Sequence, residues 1–193
     1  MKVITISRDY GSGGHSIGTR VADELGIEFY DKDIIKNTAR AMGLAPEEVK
    51  DMEEQRTVGD SILRVISPVS FDYKNDIFNT EREVVAQIAS KKPCVILGRC
   101  AGEILREAGI DCLKVYLFAD AQHCSKRVSE ILNTDDPNVI AKAIKKKNSL
   151  RNAYFTYYTG KHMKDSKNFD ISLDTGTLGY DACVRIICEA AQS

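Results

Sequence analysis

Val3-Ile4-Thr5-Ile6-Ser7-Arg8-Asp9-Tyr10-Gly11-Ser12-Gly13-Gly14-His15-Ser16-Ile17-Gly18 is the stretch whose reading decides the fold. The β-branched apolar run Val3–Ser7 predicts a strand. A glycine-rich turn follows, and a helix is expected over Ser16–Leu25, with Ile17, Val21 and Leu25 on one stripe and Gly26 ending it. Strand, glycine turn and helix in that order make an anion site. Glycines let backbone N–H groups approach a phosphate, and the helix N-terminus adds partial positive charge.

Two phosphate-binding patterns fit this turn unequally. The phosphate-loop pattern G-x-x-x-x-G-K-[ST] needs a Lys after its last Gly and a hydroxyl for Mg²⁺. Aligned on Gly13, the chain has Arg8 at the first Gly position and Gly14 at the Lys position, with Ser16 able to supply the hydroxyl. The dinucleotide pattern is nearly met by Gly11-x-Gly13-x-x-Ser16, with Asp31 at the expected distance and Tyr157-x-x-x-Lys161 resembling a dehydrogenase Tyr/Lys pair. Against it, Arg8-Asp9-Tyr10 separates the strand from the glycines, and Gly160 is a poor residue inside a helix.

Outward from the turn, short apolar runs alternate with helical periodicity, the signature of an α/β architecture with a mostly parallel sheet. Further strands are expected at Ile27–Tyr30, Pro93–Leu97, Leu113–Phe118 and Phe169–Leu173. A helix is expected over Asn75–Ser90 on Ile77, Val84, Val85 and Ile88, and Asp136-Pro137 reads as an N-cap with the first residue of another. From about Asn138 to Lys161, Lys142, Lys145, Lys146, Lys147, Arg151 and Lys161 are interleaved with Tyr154, Phe155, Tyr157 and Tyr158. This stretch reads either as a solvated helix with its aromatics packed inward or as a cationic lid over phosphates.

The 193 residues fit one ordinary domain able to bury about 70% of its unfolded surface. The 27 Lys and Arg against 28 Asp and Glu argue against a nucleic-acid-coating role. No apolar run reaches the ~20 residues that span a bilayer, so a soluble, cytoplasmic chain with neither a membrane nor a nucleic-acid partner is expected. Six cysteines, at 94, 100, 112, 124, 183 and 188, form no C-x-x-C, and free thiols suit a reducing compartment.

Taken in order, these segments resemble the cytidylate kinase-like family of P-loop nucleoside monophosphate kinases over nearly the whole length. Val3–Gly18 looks like the phosphate loop. Phe29-Tyr30-Asp31-Lys32-Asp33 is similar to the start of the monophosphate-binding region, and Arg82-Glu83-Val84-Val85 and Val95-Ile96-Leu97-Gly98-Arg99 resemble the segments bringing arginines to the acceptor. Asp120 with Lys126-Arg127, Arg151 in the lid, and Ile171-Ser172-Leu173-Asp174-Thr175 complete the series. Cytidylate kinases carry the loop Lys where this chain has Gly14, and acids where it has Leu97 and Cys100. Near Asp31 they carry an Arg where it has Lys36 or Asn37.

The resemblance implies a three-layer P-loop NTPase/nucleoside monophosphate kinase fold, a five-stranded mostly parallel sheet flanked by helices. One domain over 1–193 is expected, with an acceptor-binding helical insertion at about 31–90 and a lid at about 138–164. It implies ATP and Mg²⁺ as cofactors and a nucleotide as small-molecule substrate, (d)CMP-like in kind. Gly11, Ser12, Gly13, Gly14, His15, Ser16 and Ile17 would hold ATP, Ser16 the Mg²⁺, and Asp31, Arg82 and Arg99 the acceptor. Arg8, Arg99 and Arg151 would be catalytic, Arg8 supplying the charge of the missing Lys, with Asp9 and Asp31 the nearest acids to the metal. The missing Lys and acid equally suit a non-catalytic nucleotide-binding regulator of the same fold; an NAD(P)-dependent dehydrogenase is the more distant reading. Oligomeric state, the acceptor's identity and the role of residues 45–76 stay open.

Overall fold

A computed structural model describes residues 2–45 and 68–193. The central strand β1 (Val3–Arg8) is buried over Val3–Ile6 because sheet neighbours cover both of its edges and helices both of its faces. It pairs in parallel with β3 (Cys94–Leu97) through Ile4↔Val95 and with β4 (Cys112–Phe118) through Ile4↔Leu113. The edge strands β2 (Glu28–Tyr30) and β5 (Ile171–Asp174) complete a five-stranded, all-parallel sheet in the order β2-β3-β1-β4-β5. All five strands fall where the apolar runs predict them, within two residues at each end. The mostly parallel expectation becomes wholly parallel.

Strand alternation divides the core in two. Ile4, Ile6, Val95, Leu97, Val115 and Leu117 face α1 (Gly14–Leu25) and α7 (Thr175–Gln192), meeting Ile17, Val21, Val184 and Ile187. Val3, Cys94, Ile96 and Tyr116 turn to the opposite face. There they meet Ile34 of α2 (Lys32–Met42), Val84 and Val85 of α3 (Pro68–Lys91), Ile104 and Leu105 of α4 (Ala101–Glu107), and Phe155 of α6 (Pro137–Thr159). Each fully buried Ile or Leu here contributes roughly 1.5–3 kcal/mol. Helix α5 (Ala121–Leu132) precedes α6.

Local signals explain the helix ends. Asp136 accepts from the amides of Asn138 (2.8 Å) and Val139 (3.4 Å), with Pro137 at the first helical position, as the sequence predicts. Helix α3 is described from Pro68, seven residues before Asn75, where the apolar periodicity places its start. Most of the 45–76 stretch, residues 46–67, lies outside the described residues. The cationic stretch is one unbroken helix that buries Phe155, leaves Lys142, Lys145 and Lys146 in solvent, and exposes Tyr157 to 44%. All six cysteines are free, Cys94 buried and Cys112 half-buried. No helix among the described residues is long and apolar enough to cross a membrane.

This topology fixes where a ligand goes. The chain runs β1, β2, β3 toward one edge of the sheet and then crosses β1 to β4, leaving a crevice beyond the carboxyl ends of β1 and β3. Arg8 ends β1, and Gly98-Arg99 follows β3 directly.

Candidate active site

The glycine turn is held from below by side chains that are themselves fixed. The Ser12 hydroxyl, on a fully buried residue, donates to the Asp9 carbonyl at 2.9 Å. The buried Thr175 hydroxyl lies 2.9 Å from the Ser12 carbonyl and 3.2 Å from that of Phe118, tying the loop to the end of β4. From α6, Asn148 accepts from the Tyr10 amide at 2.7 Å. Helix α1 opens at Gly14, and its first ladder bond runs from the Ile17 amide to the Gly13 carbonyl at 2.9 Å. The amides of Gly14, His15 and Ser16 precede that bond and have no partner within the helix. Ile17 itself is fully buried and packs in the core.

Arg8 crosses the crevice from this turn to the end of β3. An ideal Cβ on Gly14 would lie 2.8 Å from Arg8 Cγ, and one on Gly98 would overlap Arg8 Nη1. The stem of Arg8 thus fills the side-chain space of the residue at the loop-lysine position, and its guanidinium reaches Arg99's turn. Desolvation, then the like charge of Arg151, pushes the Arg8 pKa down to about 9; Asp31 works against this, and Arg99 adds to it. Arg151 comes from α6, donates from Nη1 to the Arg8 carbonyl at 3.2 Å, and lies 5.6 Å over the Tyr10 ring. Desolvation lowers its pKa too, against the pull of Asp9 and Asp31.

Arg99 sits in a strained turn: Gly98, Arg99 and Cys100 have φ of 83°, 61° and 53°, three consecutive left-handed residues. Such backbone persists where the surroundings over-determine it, and it clusters at functional sites. Arg99 Nη1 pairs with Glu81 Oε1 at 3.1 Å, and Glu81 is fully buried. The other crevice acids also face partners. Asp9 accepts from the Tyr116 hydroxyl at 2.9 Å, with Lys164 at 4.0 Å, and Asp31 meets His15 Nδ1 at 3.0 Å.

The structure therefore brings Arg8, Arg99 and Arg151 together beside the first turn of α1, with Asp9 and Asp31 at the edges. Arg82 is not in this group; it pairs with Glu107 at the far end of α4, 2.9 Å away. Of the dehydrogenase pair, Tyr157 packs on Tyr158, and Lys161 binds Glu103 at 2.6 Å. Sequence reading passed over Glu81, and it gave Tyr154, whose hydroxyl donates to Glu81 Oε2, only as one of the interleaved aromatics. A signal existed: Glu81 falls on the stripe of Ile77, Val84, Val85 and Ile88, where a carboxylate is out of place.

Packed cations beside amides that the helix ladder leaves over suit a polyphosphate. The fit for Mg²⁺ is narrower, since among the described residues no group of three or more His, Cys, Asp or Glu forms a cation cage. Mg²⁺ needs none where substrate phosphates and a hydroxyl such as that of Ser16 supply its ligands.

The sequence model of the cytidylate kinase-like family matches residues 3–177. Among solved structures, an uncharacterized protein from Eubacterium ventriosum is similar over 100% of this chain and 99% of its own, at TM-score 0.75 and 24% identity. A gluconokinase from Sinorhizobium meliloti gives TM-score 0.58 at 16% identity, covering 99% of this chain and 94% of that one. The APS kinase of Mycobacterium tuberculosis, solved with AMPPNP and APS, gives 0.53 at 19%, covering 100% and 99%. These likenesses show a P-loop kinase fold. No curated protein matches.

Proposed function

The chain belongs to the cytidylate kinase-like family, and from that membership we propose that it is an ATP-dependent phosphotransferase of nucleoside monophosphate kinase type. It moves the ATP γ-phosphate to a (d)CMP-like acceptor. The observation that carries this reading is the convergence of Arg8, Arg99 and Arg151 beside the first turn of α1. Three like charges packed together oppose one another, and an anion among them relieves both repulsion and desolvation.

Phosphoryl transfer is mostly positioning and charge stabilisation. The amides of Gly14, His15 and Ser16 orient the donor phosphates, and Arg8 takes the part of the loop lysine. Arg99 holds the acceptor phosphate by its fork, with Asp31 at the acceptor side of the crevice. Arg151 closes over the transferring group from α6 and keeps water out. Ser16 and the nucleotide would hold Mg²⁺, which would supply charge neutralisation to the transferring phosphates. The acids favour a phosphate acceptor over an alcohol. An alcohol needs a base, whereas Asp9, Asp31 and Glu81 are each already engaged, and a monophosphate is ionised at neutral pH.

A non-catalytic nucleotide-binding protein is the second reading, supported by Gly14 at the lysine position and by Leu97, 2% exposed, where cytidylate kinases carry an acid. A coupled assay with Mg²⁺–ATP and a panel of nucleoside monophosphates, with shikimate, gluconate and adenylyl sulfate alongside, tests both. Turnover restricted to pyrimidine monophosphates upholds the first reading. ATP binding without turnover of any acceptor upholds the second, and preference for an alcohol overturns the proposed acceptor.

A further inference from the structure

Glu81 has no part in the transfer outlined above, yet it is a charged side chain with no exposed surface. An apolar residue at position 81 would join α3 to the end of β3 as well as its stripe neighbours Val84 and Val85 do. The carboxylate instead meets two elements through two oxygens. Oε1 lies 3.1 Å from Arg99 Nη1, and Oε2 accepts from the Tyr154 hydroxyl of α6. One turn away along both helices, Phe78 stacks on Tyr158 with ring centroids 3.6 Å apart, so Tyr154 sits on a fixed face of α6. The same helix carries Arg151 to the Arg8 carbonyl.

We propose that Glu81 is a positioning residue for Arg99, and that Tyr154 fixes the carboxylate that does the positioning. The inference rests on the kinase reading for its substrate. The left-handed turn at Gly98, Arg99 and Cys100 sets where the Arg99 backbone lies, but a long side chain on such a turn retains its rotamer freedom. Glu81 restricts that freedom on one side of the guanidinium by charge, its Oε1 lying at ion-pair distance from Nη1 without hydrogen-bond alignment. The arginine then meets an incoming phosphate already oriented, and the ordering is not left to the moment of binding. Tyr154 makes the orientation depend on the seating of α6, the element that brings the third arginine. Ordering of the acceptor arginine and docking of that helix are thereby one event.

The test uses the full chain labelled with ¹³C,¹⁵N-arginine, the Arg99 guanidinium signals being assigned by R99K. In the wild type, rotation about the Arg99 Nε–Cζ bond is slow and its Nη signals are resolved. E81Q, which keeps shape and loses charge, speeds that rotation at least about tenfold. It also raises KM for CMP about tenfold, leaving KM for ATP within about twofold; a loss of packing alone would shift both or neither. Unchanged Arg99 rotation in a folded E81Q overturns the proposal whatever its turnover. Should E81Q not fold, Y154F decides: faster Arg99 rotation than wild type upholds the proposal, and equal rotation overturns it. Absence of turnover with every nucleoside monophosphate removes the kinase reading, while the Arg99 signal, which needs no substrate, still decides this one.

Discussion

The guanidinium of Arg8 occupies the space above Gly98 that any side chain at position 98 would need, and the stem of the same residue lies 2.8 Å from the Cβ that Gly14 lacks. One arginine thus joins the first turn of α1 to the turn after β3 and accounts for a glycine at each end. A positive charge thus enters this crevice from β1, on the opposite side of the turn from Gly14.

Arg8→Ala is expected to lose affinity for Mg²⁺–ATP by about tenfold to a hundredfold, since a charge-assisted contact to phosphate contributes roughly 1.5–3 kcal/mol. The fold should survive, because the guanidinium extends past the apolar run of β1. Calorimetric titration checks the affinity and circular dichroism the fold. Equal affinities in the two proteins would mean that Arg8 does not stand in for the lysine.

How much of this was legible in the sequence depends on how far each feature reaches along the chain. The strands were legible because runs such as Val95-Ile96-Leu97, covered on both faces, carry their own signal. The turn before α1 was legible because its glycines stand between a strand and a helix. Arg82 stands next to Glu81, and adjacent helical residues point about 100° apart. Only the phase of α3 decides that Glu81 faces Arg99 while Arg82 faces Glu107. The tie between Tyr116 and Asp9 spans 107 residues, a separation that no local pattern encodes.

Anion affinity should fall as pH rises through about 9. Desolvation first, then Arg151 and Arg99, hold the Arg8 pKa down to about 9 from its ordinary, higher value, with Asp31 opposing. Above that pH the folded protein sheds a proton that the unfolded chain keeps, so folding stability rises with pH above about 9 until the unfolded arginine loses its proton too. Affinity runs the other way, because the lost proton is the charge that meets the anion. Sulfate, a dianion throughout this range, titrated at pH 7.5 and at pH 10 should bind more weakly at the higher pH, by up to about tenfold per unit above 9. Arg8→Gln should be flat over the same range, and a parallel fall in the variant would assign the titration elsewhere.

Glu103 fastens the end of α6 to α4, accepting from Lys161 Nζ at 2.6 Å and Arg106 Nε at 3.1 Å. Burial would raise its pKa, but the hydrogen bonds from Lys161 and Arg106 outweigh it and hold the carboxyl below its usual range. The stability this gives is present above the ordinary carboxylate pKa and is lost as pH falls through the lower folded value. Both cations are more than a third exposed, so Glu103→Gln should cost only about 1 kcal/mol, or roughly 2–4 °C in Tm at pH 7. The difference should shrink in acid. A gap of the same size at pH 3 and pH 7 would show that the charge plays no part.

Gly14→Lys separates a remodelled loop from a merely depleted one. The new Cβ would lie 2.8 Å from Arg8 Cγ and 3.0 Å from Arg8 Cβ, and these atoms are the base of a side chain whose far end is wedged at Gly98. The stem cannot swing aside freely, so Gly14→Lys alone should destabilise by about 1–3 kcal/mol, as over-packing does. It should also bind ATP no more tightly than the wild type. Combining it with Arg8→Ala removes Cγ and the guanidinium together, and the lysine then has room for its own stem. The double variant should recover ATP affinity to within about threefold of wild type, although each single change lowers or fails to raise it. Such non-additivity is what two side chains competing for one space produce. Thermal unfolding and ATP titration on the four proteins give the cycle. Tighter binding by Gly14→Lys alone at unchanged stability would show that Arg8 does not fill the lysine's place, and additive losses in the double variant would show that the two positions do not share it.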